Sequence, residues 1–458
     1  MTSSSVAGLW KKLTDKLPKS SKRSAVRNHI VVPRDEHIIS RRIISDNALK
    51  VMNRLNQANF DAFLVGGGVR DILLGGQPKD FDIATDATPE QVRDLFRNSR
   101  IIGRRFKIVH VRFGREVIEV TTFRGNHTEK ESKHQSARSE SGMLLRDNIY
   151  GSVTEDAERR DLTINALYYT TRDFSVHDYV GGLQDLNDRL IRVIGDPATR
   201  YREDPVRMLR VIRFAAKLDF DIEAETEAPI PELAPLLKDI APARLFDEVL
   251  KLLMSGNGLQ TYALLQRYHL FAPMFPATQA MLNKQVHGAE ALIQQGLSNT
   301  DARIAEDKPV TPAYIYAVLL WPAVHTLQAD IMASGVPEIP ALHQAAERVL
   351  HKQQQTVAIP KRFSLPMRDI WELQFRLQKR SGKRAEQLLE HRYFRAGFDF
   401  LLLREQAGEI PTGLGQWWIA FQESHPETRS AMLKPGQPEA RKRPRRRRRR
   451  SSAPRPPQ

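Results

Sequence analysis

Cysteine is missing altogether from the 458 residues. Its absence excludes disulfide bridges and every metal site built on thiolates. It names no compartment, and the cytoplasm is the expectation. Aromatic residues make up only 7% of the chain. No apolar run reaches the roughly 18 residues that a membrane-spanning helix needs, and the N-terminus has no apolar core of the kind that marks a secretory signal. His110, His127, His134 and His177 show no paired spacing of the kind a metal requires. Acidic residues are in deficit: 54 Asp and Glu stand against 70 Lys and Arg, a net charge of +16.

What is present is the composition of a globular protein, 41% hydrophobic and 27% charged, on a chain long enough for two to four domains. The excess charge is concentrated. Residues 441–450 read Arg-Lys-Arg-Pro followed by six arginines. Like charges at that density repel and do not fold alone, so residues 411–458 are expected to form an arginine-rich, mostly disordered tail. A polyanion is its natural partner, because each phosphate neutralised releases counterions. Residues 1–40 form a polar, basic extension. Within it Trp10, Leu13 and Leu17 sit at helical spacing among Lys11, Lys12 and Lys16, a face that could rest on a membrane surface, although a frayed extension is the simpler reading.

From about 41 to 195 the pattern is mixed α/β. Strands are expected at Ala62–Val65, Phe81–Ala84, Ile108–Phe113, Val117–Phe123 and Val176–Asp178. A helix should begin at Thr88, where a capping residue is followed by Pro89 at the first helical position and Gln91 three residues on. Residues 125–152 are polar and read mostly as a mobile loop near the site. After 196 the strand signals fade. Helical periodicity marks Tyr201–Leu218, Leu245–Met254, Ala313–Gly335, Ala341–Val357, Met367–Arg380 and Gly382–Arg404. The domain division is an α/β head at 41–195, a helical neck at 196–270 and a helical body at 271–410, followed by the tail.

The most informative stretch runs from Leu64 to Asp82. A short apolar strand feeds Gly66, Gly67 and Gly68, and a helical run follows. Glycines let the backbone turn tightly, and a helix N-terminus offers N–H groups to a phosphate. Asp80 and Asp82 then share one strand face while Phe81 and Ile83 point to the core. Two carboxylates beside a phosphate cradle suit metal-dependent phosphoryl transfer. The glycines are not followed by the Lys-Ser/Thr of a nucleoside-triphosphatase loop, and Asp71 stands where a dinucleotide fingerprint needs a small residue. Two further blocks stand out: Arg159-Arg160-Asp161-Leu162-Thr163-Ile164-Asn165-Ala166, and Arg202-Glu203-Asp204-Pro205-Val206-Arg207-Met208-Leu209-Arg210. In the second, Asp204 is placed to cap a helix opened by Pro205.

In this order and spacing the three blocks resemble the nucleotidyltransferase superfamily of DNA polymerase beta, and within it the class II branch that holds the bacterial poly(A) polymerases and CCA-adding enzymes. The fold that the resemblance implies is a DNA polymerase beta-like α/β head followed by all-helical neck and body domains and a disordered basic tail. It implies a polynucleotide adenylyltransferase that uses ATP and Mg²⁺ on RNA 3′ ends, with RNA-degradation machinery as a partner. Asp80 and Asp82 become metal ligands. Gly66, Gly67, Arg70 and Arg160 become triphosphate ligands, with Asn165 nearby. Asp204 and Arg207 read the edge of the incoming base, and Arg210 helps to hold the nucleotide. The third catalytic carboxylate is either Asp161 or Glu119; Asp161 ranks slightly first.

The three blocks do not separate the two class II enzymes. The basic tail, the extension of about 40 residues before the head and the stretch Ile101–Val111 favour the poly(A) polymerases over a CCA-adding tRNA nucleotidyltransferase. The chain also lacks the His-Asp phosphohydrolase signature that some CCA-adding enzymes carry. A catalytically dead RNA-binding relative and a basic protein anchored mainly by its tail are the readings from other classes. Intact Asp80, Asp82 and Arg160 argue against the first.

Overall fold

The computed structural model describes residues 29–433 apart from 104–105, 126–135, 139–143, 148 and 381, and its head is assembled around the apolar run Ala62–Val65. The strands are β1 (Ile30–Val32), β2 (Ala62–Val65), β3 (Asp82–Thr85), β4 (Ser99–Ile102), β5 (Ile108–Phe113), β6 (Glu116–Thr122), β7 (Ser136–Arg138), β8 (Leu144–Asp147), β9 (Leu167–Thr170) and β10 (Val176–Asp178). Eight of them form one sheet in the order β1-β10-β9-β2-β3-β6-β5-β4. In it β3 and β6 pair parallel, while the other pairings are antiparallel. Every residue of β2 and β9 is buried. Central strands covered on both faces read as continuous apolar runs rather than alternating ones.

Helix Asp46–Gln57 turns Ala48, Val51, Met52 and Leu55 inward, the spacing of one helical face. Ser45 caps it by accepting hydrogen bonds from the amides of Asn47 and Ala48. The capping box expected at Thr88 is present: its side chain accepts from Gln91 N–H, and the Gln91 side chain returns to the Thr88 amide. Strands β2 and β10 have the expected bounds, and β3 begins at Asp82 rather than Phe81.

Some expectations need correction. The single helix expected over Tyr201–Leu218 is two, Pro197–Glu203 and Val206–Leu218. Pro205 has no N–H to continue the first, and it restricts Asp204 to extended backbone. Helices Lys383–Leu389 and Phe394–Gln406 likewise replace the single one expected over Gly382–Arg404. The stretch 125–152 is not simply a loop, because β7 and β8 form a two-stranded antiparallel ribbon within it; its remaining central residues lie outside the described ones.

Beyond the head the chain is helical. Helix Pro312–Ala333 buries residues around most of its circumference, among them Ile315, Tyr316, Leu319 and Trp321, as a helix at the centre of a core must. Trp371 of helix Lys361–Arg376 donates its indole N–H to the Ala317 carbonyl at 3.1 Å. Residues from 411 onward were expected to lack structure, yet 414–423 and 426–432 are helical. Trp418 and Phe421 are fully buried there, and Trp418 donates to the Leu377 carbonyl at 2.9 Å. They pack with Leu373, Leu377, Leu388, Phe394 and Phe398 in one buried cluster, which ties this segment to the helical body. The N-terminal residues 1–28 and the arginine run lie outside the described residues. Among the described residues no helix is long and apolar enough to cross a membrane.

Candidate active site

Gly66 ends β2 with φ +71°, a backbone geometry that side chains disfavour, and helix Gly67–Leu73 starts from it. A Cβ on Gly66 would lie 3.6 Å from Arg160 Nη1, and one on Gly68 would lie 3.5 Å from the Asp80 carbonyl oxygen. The turn is thus flanked by an arginine on one side and the Asp80 backbone on the other. Val65 pairs with Asp82 in the β2–β3 register, which places Asp82 beside the same turn. Phe81 and Ile83 are buried, Asp82 at the start of β3 is half-buried, and Asp80, two residues before it and outside the strand, is exposed.

The parallel β3–β6 register sets Asp82 directly against Glu119. Burial pushes the Asp82 carboxyl up to about 6, with Glu119 and Asp80 adding to the shift and Arg160 opposing it. Carboxylates crowded in this way, with one arginine against them, suit a hard cation. Among the described residues no three His, Cys, Asp or Glu side chains gather round one point as a ready-made metal site. Glu119 accepts from His110 Nε2 at 3.1 Å across the β5–β6 pairing, a partner that histidine spacing alone does not reveal.

Arg160 follows helix Val153–Arg159 and is held from behind. Its Nε donates to the Tyr168 hydroxyl at 2.8 Å and to Asp156 Oδ2 at 3.1 Å, and Nη2 also meets Asp156 at 3.1 Å. Asp156 is 1% exposed and also accepts from Arg124 and from Tyr168. Burial works against its charge, but Arg160 and Arg124 hold its carboxyl well below the usual range. Sequence reading overlooked Asp156, although it stands one helical turn before Arg160 and follows the capping pair Ser152 and Glu155.

The other expected residues divide between the head and the neck. Arg70 was expected to close on phosphates; its side chain is 2% exposed and already engaged. It donates to Asp71 at 2.8 and 2.6 Å and to the Asn165 side-chain oxygen, and it lies over the Phe214 ring. Asp161 receives the Arg210 Nε–H, and Asn165 Nδ2 approaches it at 3.5 Å. Burial again opposes the charge, and Arg210 holds the Asp161 carboxyl well below the usual range.

Asp204 was expected to cap helix Val206–Leu218. Its carboxylate instead accepts both arms of the Arg244 guanidinium, each at 2.9 Å, and Pro205 at the helix boundary supplies no side-chain cap. Arg207 donates to Glu203 at 3.1 Å and to the Arg200 carbonyl at 3.0 Å. Arg200 in turn donates to the carbonyls of Arg159 and Arg160 at 2.7 and 2.8 Å. A chain of hydrogen bonds therefore joins the base-reading candidates to the Arg-Arg-Asp block. No sequence spacing signalled Arg244, which is 40 residues from its partner.

Comparison with known proteins bears on what this site does. Three family models match: a poly A polymerase head domain over residues 62–192, a probable RNA and SrmB-binding site of polymerase A over 219–282, and a polymerase A arginine-rich C-terminus over 334–452. Poly(A) polymerase I of Salmonella typhimurium is 51% identical over 456 residues, covering 98% of each chain. The CCA-adding enzyme of Bacillus licheniformis is 38% identical, but over only 47% of this chain and 53% of its own. Among solved structures, the Bacillus stearothermophilus CCA-adding enzyme in complex with CTP superposes with a TM-score of 0.53 at 25% identity, over 84% of this chain and 80% of its own. The likeness to CCA-adding enzymes is thus the more distant one.

Proposed function

Because the chain belongs to the poly(A) polymerase I family and is a polynucleotide adenylyltransferase, we propose that it transfers AMP from ATP to an RNA 3′-hydroxyl at Asp80 and Asp82, releasing pyrophosphate. The observation that carries this reading is Asp82, set beside the Gly66 turn and against Glu119 with its carboxyl pushed up to about 6. Asp80 and Asp82 would hold Mg²⁺, with Glu119 as the third carboxylate beside them. When bound, the metal supplies Lewis acidity that lowers the pKa of the attacking hydroxyl and neutralises the leaving pyrophosphate. Asp161 keeps Arg210 in place next to the nucleotide. The turn at Gly66 and Gly67 takes the phosphates. Arg70 braces the helix behind it through Asp71 and Asn165, and Arg160 aims its guanidinium across it. The working compartment we propose is the cytoplasm, with RNA-degradation machinery downstream, as the family resemblance implies.

The defining experiment incubates the protein with Mg²⁺, a generic RNA and each NTP separately, and then sizes the products. Long extension with ATP alone is expected. Addition limited to a few C and A residues on tRNA-like ends would overturn the reading. In the same assay Arg160→Ala should raise KM for ATP and lower kcat with little change in RNA affinity, because a charge-assisted phosphate contact is lost. Unchanged ATP kinetics would move the phosphate site elsewhere.

Base choice is proposed to rest on Asp204 and Arg207, held ready by Arg244 and Glu203. Losing one base-edge pairing costs about 1–3 kcal/mol of discrimination. Asp204→Ala should therefore erode the preference for ATP over the other nucleotides by roughly an order of magnitude or more, a larger effect than on the transfer step. If kcat/KM ratios among the four NTPs stay as they are, the base is read by other residues.

A further inference from the structure

A cavity of about 610 Å³ opens in the helical body between helices Ala289–Ala305, Pro312–Ala333 and Phe394–Gln406. None of the residues assigned above to the active site lines it. Its size falls in the roughly 300–1,000 Å³ range of small-ligand sites. Its lining combines three kinds of group. Val310, Ala396 and Leu402 supply apolar wall, and Tyr314 and Tyr393 supply rings. Arg303, Arg392 and Arg395 outnumber Glu306 and Asp399, so the site is net cationic.

The guanidiniums are positioned yet not exhausted. Arg392 lies over the Tyr393 ring, 4.4 Å from its centroid. Arg395 meets Asp399 through Nε at 3.0 Å while its side chain is 71% exposed. Arg303 gives one Nη2 contact to the Pro309 carbonyl at 3.2 Å. A guanidinium has five N–H donors; Arg395 and Arg303 each commit one nitrogen in these contacts, and the Arg392 contact is with a ring face. Asp399 adds an acceptor at the wall; burial pushes its carboxyl up, while Arg395 and Arg303 pull it back.

Aromatic faces, an apolar wall, an excess of arginines and carboxylate acceptors together match one ligand chemistry: a flat heteroaromatic base joined to a phosphate. We propose that this cavity receives one nucleotide unit of the single-stranded RNA being extended, its base against Tyr393 and its phosphate against Arg392 and Arg395. The site would anchor RNA away from the catalytic carboxylates, with no bearing on ATP binding. The proposal rests on the reading of the chain as an RNA-extending enzyme, and a free nucleotide is the other source of the same chemistry.

The test uses the full-length protein and oligoadenylates carrying one 8-azidoadenosine, placed either internally or at the 3′ end, followed by ultraviolet cross-linking and peptide mapping. Internal label is expected on peptides containing Tyr314 or Tyr393. Tyr393→Ala should weaken oligoadenylate binding roughly tenfold, the effect of losing one stacked base. Tyr393→Trp should restore it. Ala396→Trp, which fills the cavity without changing charge, should weaken binding as Tyr393→Ala does, with KM for ATP unchanged in every variant. Should one variant fold poorly, the other still reads the cavity. Displacement of the label by millimolar AMP would assign the cavity to free nucleotide as well as RNA. Label absent from both peptides, or full RNA affinity in Tyr393→Ala and Ala396→Trp, would overturn the proposal. A cavity that instead captured a protein would leave RNA affinity intact and fall under that outcome. Failure of AMP transfer by the unaltered protein is a separate result and bears on the catalytic reading alone.

Discussion

Asp82→Asn should reduce AMP transfer by about a thousandfold or more, since several kcal/mol of metal-supplied charge stabilisation disappear with one carboxylate, while RNA affinity changes little. The same residue has a signature that needs no turnover. Its carboxyl titrates at about 6 in the folded protein against a reference of 3.8, so the folded state holds this proton more tightly than the unfolded chain does. The stability owed to that difference is fully present below 3.8 and is lost as pH rises through about 6. Metal-free protein should therefore lose thermal stability relative to Asp82→Asn as pH rises from about 4 to about 6, and the difference should level off above that. Mg²⁺ at pH 7 should recover much of the loss, because a ligand that binds only the folded state stabilises it. Mg²⁺ affinity of the unaltered protein should also fall as the pH drops below about 6, where Asp82 takes up its proton. Parallel melting profiles for the two proteins across this range, or substantial transfer by Asp82→Asn, would remove Asp82 from the metal site.

Asp156→Ala is expected to have the second-largest effect, on stability as well as catalysis. The carboxylate is buried between Arg160, Arg124 and the Tyr168 hydroxyl. Removing one partner of a buried ion pair leaves the other charge uncompensated and costs about 3–5 kcal/mol. A clear fall in melting temperature should follow. The freed Arg160 should lose its aim at the Gly66 turn, so KM for ATP should rise. Asp156→Asn separates the two effects. It keeps the shape and one acceptor, so it should melt closer to the unaltered protein while still showing weaker ATP binding. If both variants fold and keep the original KM for ATP, Arg160 does not depend on Asp156 for its position.

Much of the site's chemistry is local in sequence, and that part was legible. Strand β2, the glycine turn and the Asp80–Asp82 alternation occupy one short stretch whose geometry follows from backbone sterics and the period of a strand. The Thr88 capping box needs only four consecutive residues. The Asp156–Arg160 pair is local too, one turn of one helix, and was readable in principle. The break at Asp204–Pro205 was also written in the chain; apolar periodicity across it concealed a proline that ends one helix and admits the next.

Other features exist only in the folded chain. Glu119 faces Asp82 because β3 and β6 pair in parallel, after an intervening helix and two strands have returned the chain; no spacing rule encodes that register. Arg210 reaches Asp161 across 49 residues and Arg244 reaches Asp204 across 40, since packing of the neck on the head decides the first pairing and helix packing within the neck decides the second. Helices 414–423 and 426–432 were hidden by the arginine run that follows them, and burial of Trp418 and Phe421 outweighs the polar bias of their surroundings. The sequence by itself determined the chemistry available to this protein, because residue types and short-range periodicity set the donors, acceptors and turns. Only the tertiary structure decided which carboxylate stands beside Asp82 and which arginines are already spent, because both depend on contacts between residues far apart in the chain.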